Sequence, residues 1–285
     1  MTSKATAPIA STTVPPQISY AVLTTAAAGF FLWALGWFIL IPDHQAHVGW
    51  ILEFVGPLLI AIAIVMFVEG LRTRVGLAPV ILATIAALSG GVATFFFAIN
   101  PANLETSNGV RFGYGGTAGA LLIGSLTLML VHRRKESHLK AQLDHTYPVC
   151  PAGCPCAPVI HASFGVVSLV ASGLLIWGIG FAGHVVQPEG TRFAWVLAVI
   201  GSALVTTGLG AHFQHLGKRF GRAAIVIGIA SGAIWSVGYL LEAIDPSAGP
   251  LSSWYTYLFL CYGVGHLLTA LTLVMVARRK FTLER

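Results

Sequence analysis

The sequence predicts an all-α fold: a polytopic integral membrane protein whose eight transmembrane helices form two tandem four-helix repeats of the same orientation. Three observations predict it. Of 285 residues, 56% are hydrophobic and only 9% are Asp, Glu, Lys or Arg, whereas a soluble domain carries roughly a quarter of its residues as charges. That leaves too little polar surface to cover a water-soluble fold of this length, and the mean hydropathy of +0.81 agrees. Next, eight continuous apolar stretches reach the length of about 20 residues that a helix needs to cross a bilayer core. Finally, the two halves of the chain match each other at a constant offset of 145 residues.

Residues 1–18 are rich in Ser, Thr and Pro and read as a disordered tail. One Lys and a following apolar run long enough to span argue against a secretory signal peptide. The spans are expected near Tyr20–Ile41, Trp50–Leu71, Leu77–Ile99, Gly113–Val131, His161–Phe181, Phe193–Phe213, Ala223–Ile244 and Trp254–Val276. They are continuously apolar, where barrel strands would alternate, so they are helices. The expected organisation is a tail at 1–18, a first membrane repeat at 19–135 and a Cys/Pro-rich loop at 136–160. A second repeat at 161–280 and a short tail at 281–285 complete it.

Lys and Arg set the expected orientation. With a cytoplasmic N-terminus, 14 of the 16 basic residues fall inside, and only Arg111 and Arg192 fall outside. Both termini and the inter-repeat loop are therefore expected on the cytoplasmic face of a cell membrane. The net charge of +6 is then a topology signal that favours anionic lipid and needs no nucleic-acid partner.

The repeat is carried by Leu126–Lys135 (LTLMLVHRRK) against Leu271–Lys280 (LTLVMVARRK), identical at seven of ten positions. Phe97–Pro101 aligns with Glu242–Pro246, and Arg74-Val75-Gly76 with Arg219-Phe220-Gly221. An even number of spans per unit gives both units one orientation, with a pseudo-axis along the membrane normal. Glycines four apart, Gly115 and Gly119 in span four and Gly228 and Gly232 in span seven, are candidate helix contacts, as are Gly173 and Gly180 in span five.

The inter-repeat loop holds Cys150-Pro-Ala-Gly-Cys154-Pro-Cys156, with His161 five residues on. In a reducing cytosol these thiols are more naturally soft-metal ligands than disulfide partners, suited to Zn, Cu or an iron–sulfur cluster. The spacing matches no standard ribbon or ferredoxin pattern, so an inert or acylated linker is the competing reading. His212 and His215 end span six, three apart and on one face. They are candidates to complete that inner site or to hold a cofactor, although contact with the terminal carbonyls of span six is the favoured reading.

Deeper polar residues are suspects by default. His266 lies mid-span, where it would serve a haem, a proton or a substrate. With no second histidine expected at that depth, bis-histidine haem is disfavoured. Glu69 and Glu242 are candidates for a proton or transport pathway with His266, whereas Glu53 reads as a boundary residue. Arg111 and Arg192 read as anion ligands or as partners of Glu105 and Glu189. The sequence holds no Walker loop, no dinucleotide glycine motif, no G-x-S-x-G and no H-E-x-x-H, so the chain by itself is not read as an enzyme.

Three function classes remain open. One is a transporter-like protein with a soft-metal site on its cytoplasmic face. The others are a membrane redox subunit linked to haem, iron–sulfur or quinone, and an assembly subunit of a larger membrane complex that docks a cytoplasmic partner through the inter-repeat loop.

Overall fold

The computed structural model describes residues 19–105, 107–143, 164–187, 192–245 and 253–283. Among them every regular element is helical. Eight helices are long and apolar enough to cross a bilayer. They are α1 (Tyr20–Leu40), α2 (His47–Met66), α4 (Leu77–Ile99), α5 (Ser107–Leu143), α6 (Phe164–Val186), α7 (Arg192–Ala211), α9 (Arg222–Ile244) and α10 (Ser253–Leu283). Two eight-residue helices, α3 (Val68–Val75) and α8 (Phe213–Phe220), follow α2 and α7. Large apolar side chains remain exposed along the spans, among them Ile62, Val92, Ile179 and Val226. That is the surface expected of a protein dissolved in lipid.

Local chemistry explains the helix ends. Ser19 starts α1 by accepting from the backbone N–H of Val22 at 3.2 Å, a side-chain N-cap. Phe67 separates α2 from α3, and His212 separates α7 from α8. Gly76 and Gly221 then end the short helices at φ +95° and +99°, a backbone region that favours glycine. Met66 and Ala211, Gly76 and Gly221, and Ile99 and Ile244 are all 145 residues apart, the offset seen in the sequence.

The spans pack in chain order. α1 adjoins α2, then α4, α5, α6, α7, α9 and α10 come in turn, and α10 returns to α1. The result is a closed ring of eight helices. Its core is one cluster with residues from every span, including Leu40, Trp50, Phe97, Ala118, Phe181, Trp195, Tyr239 and Tyr262. The end of the ring where α1 begins and α10 ends is its proximal end, and the opposite one is its distal end.

Glycine sets close helix contacts, at some of the expected positions and at others besides. A Cβ on Gly29 would lie 2.7 Å from the Gly56 carbonyl oxygen, and one on Gly36 would lie 2.8 Å from that of Gly49. α6 and α7 repeat the arrangement, with Gly173 against Gly201 and Gly180 against Ala194, each at 2.7 Å. Of the glycines four apart, Gly115, Gly119 and Gly228 meet their nearest neighbours at ordinary contact distances of 3.6–3.9 Å, whereas a Cβ on Gly232 would run into the Thr206 hydroxyl on α7. Close backbone approach in lipid therefore uses glycines seven apart, two helical turns, in the first hairpin of each half.

Candidate functional site

The ring interior is aromatic toward its distal end. Trp37 (α1), Trp50 (α2), Trp177 and Phe181 (α6), Trp195 (α7), Trp235 and Tyr239 (α9) and Tyr262 (α10) join into one set of ring contacts, which Trp33 (α1) joins through His266. Some bridge spans that are not ring neighbours, such as Trp177 with Trp235 and Phe181 with Tyr239. Toward the proximal end the buried residues include small ones: Ala27, Ala61, Ala171, Ala270 and Ala277. Burying large rings at one end gives the bundle a filled distal half.

Glu53 lies inside this aromatic half. It is the sixth residue beyond the start of α2, about 9 Å along the helix, and its exposure is 0%. The expected boundary residue is thus fully buried. The helix begins at His47, one turn before the expected start at Trp50, and turns Glu53 toward α1. The indole N–H of Trp33 donates to one carboxyl oxygen. The other oxygen, Oε1, has no partner among the described residues and faces the backbone at Gly36. A side chain at Gly36 would occupy that space.

His266 shares Trp33. The two rings lie 4.3 Å apart, Trp235 lies 4.5 Å from His266 on another side, and Phe30 lies 6.1 Å away. His266 is 2% exposed, as its mid-span position predicts. Its Nδ1 is 2.8 Å from the Tyr262 carbonyl. A carbonyl only accepts, so Nδ1 is the donor, and in the neutral ring Nε2 is the acceptor. Trp33 thus links a buried carboxyl and a buried imidazole, one at its edge and one at its face.

A second buried imidazole, His184, is absent from the sequence expectation. Span five is expected to end at Phe181, but α6 continues to Val186 and carries His184 in its last turn. It is 1% exposed, between Trp195 at 4.3 Å and Tyr114 at 4.6 Å. Neither ring nitrogen has a partner among the described residues. At the offset of 144 that relates Gly29 and Gly36 to Gly173 and Gly180, Leu40 stands opposite His184, and Ala198 stands 145 positions after Glu53. Each half therefore carries one buried ionisable side chain in its first hairpin, at different places.

The remaining candidates are dispersed. Glu69 sits on α3, where it pairs with Arg72 at 3.1 Å with both side chains more than half exposed. Glu242 is half-buried in the last turn of α9. His212 is half-buried at the break between α7 and α8, and His215 follows on α8. Arg111 is exposed, and Arg192 donates to the Ile244 carbonyl at the end of α9 at 3.3 Å. Cys150, Cys154, Cys156 and His161 lie outside the described residues. Among the described residues, no three His, Cys, Asp or Glu side chains gather as a metal would need. Compared with protein-family models, with characterised proteins and with solved structures, the chain matches none.

Proposed function

We propose that this membrane protein is transporter-like and moves a cation through the interior of its helical ring. The observation that carries the reading is Glu53: a fully buried carboxyl with one oxygen bound to Trp33 and the other without a partner among the described residues. Ionisable side chains are costly inside a membrane and face the bundle interior where they serve ion or proton movement. His266, against the same tryptophan, supplies a second cation-accepting group nearer mid-span. The aromatic distal half is the closed side of the route, and the small-residue proximal half is its approach.

The same reading takes the chain as two four-helix repeats of parallel orientation, supported by helix boundaries that recur 145 residues apart. Their interface forms the pathway. The distribution of basic residues supports a cytoplasmic proximal end and cytoplasmic termini. Cys150, Cys154, Cys156 and His161 then form a soft-metal site at that face, as cargo or regulator.

The test is cation flux into vesicles reconstituted with the purified full-length protein. Entrapped dyes report protons, Zn(II) and Cu(I) separately. The expected result is flux of at least one of these above protein-free vesicles, lost in Glu53→Gln. Wild-type vesicles as tight to all three as empty ones would overturn the reading.

A further inference from the structure

Four spans that alternate around the ring, α1, α4, α6 and α9, carry matching residues at one level. Trp33, Gly90, Trp177 and Trp235 each stand thirteen residues beyond the first residue of their helix, about 20 Å along it. Trp33 and Trp177 are 144 residues apart, the offset of Gly29 and Gly173, and Gly90 and Trp235 are 145 apart. Three of the four corners therefore carry an indole, and the fourth carries no side chain.

The three indoles point inward. Trp177 and Trp235 meet at 5.9 Å although α6 and α9 are not ring neighbours. Trp33 and Trp235 lie against His266 at 4.3 and 4.5 Å. The Cβ of Trp33 packs on Gly56 of α2, and its ring tip reaches toward Gly90 on α4, a span that α1 does not adjoin. A Cβ on Gly90 would meet that ring tip alone among the described residues, at 3.9 Å. All three tryptophans nevertheless remain only half-buried. With their rings turned across the interior, the surface they keep accessible lies inside the ring, where the side chain missing at Gly90 leaves room.

These walls suit a positive guest. Aromatic faces attract a cation through the ring quadrupole, and tryptophan does so most strongly. The buried polar and charged side chains include one carboxyl, Glu53, and neither Lys nor Arg, so no fixed positive charge opposes it. Glu53 also holds the Trp33 indole by its N–H. A bare transition-metal ion would need several ligands gathered at one point, and among the described residues no three His, Cys, Asp or Glu side chains gather so. An ammonium ion clothed in methyl groups is held by aromatic faces instead.

We infer that the space between Trp33, Trp177, Trp235 and Gly90 is a binding site for a small organic ammonium ion. The site goes beyond the transport reading and stands without it, because binding is read without flux. The competing role for the three rings is core packing. In that case a positive charge brings no advantage over an uncharged molecule of the same shape.

The experiment is calorimetric titration of the purified full-length protein in detergent with choline and with 3,3-dimethylbutan-1-ol, its uncharged carbon isostere. The expected result is saturable choline binding, about tenfold weaker binding of the isostere, and loss of choline binding in Gly90→Trp, which fills the open corner as Trp235 fills its own. Thermal unfolding identifies which variants are folded. Trp177→Phe and Trp177→Leu give a second readout that leaves Gly90 untouched, with choline affinity falling in the order wild type, Trp177→Phe, Trp177→Leu. Equal binding of choline and the isostere would overturn the ammonium site and leave an apolar one. Choline binding that persists in folded Gly90→Trp, or is unchanged in Trp177→Leu, would overturn its location. Absence of choline binding in the wild type would overturn the inference altogether, while flux of protons or metal ions in vesicles would still support cation transport.

Discussion

Trp33 and His266 lie with ring centroids 4.3 Å apart, although one belongs to the first span and the other to the last. The contact exists because the ring closes, with α10 packed back on α1. Trp33 also donates to Glu53 on α2, so one indole ties three spans together at the junction of the two halves.

Removing the acceptor on Glu53 should therefore cost stability as well as transport. Glu53→Ala leaves the Trp33 N–H unpartnered, which costs about 1–3 kcal/mol. Glu53→Gln keeps an acceptor carbonyl and should cost less. Thermal unfolding in detergent, followed by tryptophan fluorescence, should rank wild type above Glu53→Gln and Glu53→Gln above Glu53→Ala. Equal melting temperatures for the two variants would mean that the Trp33 bond contributes nothing.

His184 predicts the opposite sign. Both of its nitrogens are buried without a partner among the described residues, and such groups cost about 1–3 kcal/mol each by mutational measures. His184→Leu installs the residue found at Leu40 and should raise the melting temperature. A fall instead would show that a bound molecule or ordered water satisfies this imidazole.

The glycine contacts can be separated by substitution. Gly29→Ala places a methyl 2.7 Å from the Gly56 carbonyl oxygen, an overpacking that should cost about 1–3 kcal/mol. Gly210, near the end of α7, has nothing within 4 Å of an added Cβ. Gly210→Ala should be neutral or stabilising by up to about 1 kcal/mol, the difference in helix propensity. Size-exclusion profiles and melting temperatures of the pair should move in opposite directions, and parallel losses would argue against close packing of α1 on α2.

Glu69 lies on the exposed side of its helix. Its pair with Arg72 is exposed at 64% and 56%, respectively, and exposed pairs contribute less than about 1 kcal/mol. Glu69→Ala should leave the melting temperature near the wild-type value. A large drop would place this side chain in a buried role that its exposure does not show.

The eight spans are legible in the sequence because continuous apolar length is a property of the chain alone. The 145-residue offset is visible in the sequence too and recurs in the helix boundaries, but the breaks at Phe67 and His212 are not read from it, since spans two and six are expected to run on to Leu71 and Phe213. Glu53 and His184 differ from expectation by a turn of helix. Glu53 lies near the expected start of a span and His184 beyond the expected end of one, and position along a chain does not say which face a residue presents. The closed ring turns Glu53 onto α1 and His184 between Trp195 and Tyr114. The close contacts of α1 and α2 are hidden from a four-residue glycine pattern because their glycines recur every seven. His266 is legible because a lone histidine amid twenty apolar residues has few bland explanations.

Burial of Glu53 and the placing of His266 on Trp33 both depend on α1 sealing against α10. The most direct measurement is a cross-link across that seam. Trp37→Cys and Phe259→Cys, whose native rings are 4.9 Å apart, would be introduced with Cys150, Cys154, Cys156 and Cys261 changed to Ser. A protease site in the loop between the halves would allow the chain to be cut afterwards. Treatment with a short bifunctional thiol reagent, cleavage and a denaturing gel should show the two halves still joined. Separate halves, with both cysteines shown to be labelled by a monofunctional reagent, would contradict the closed ring.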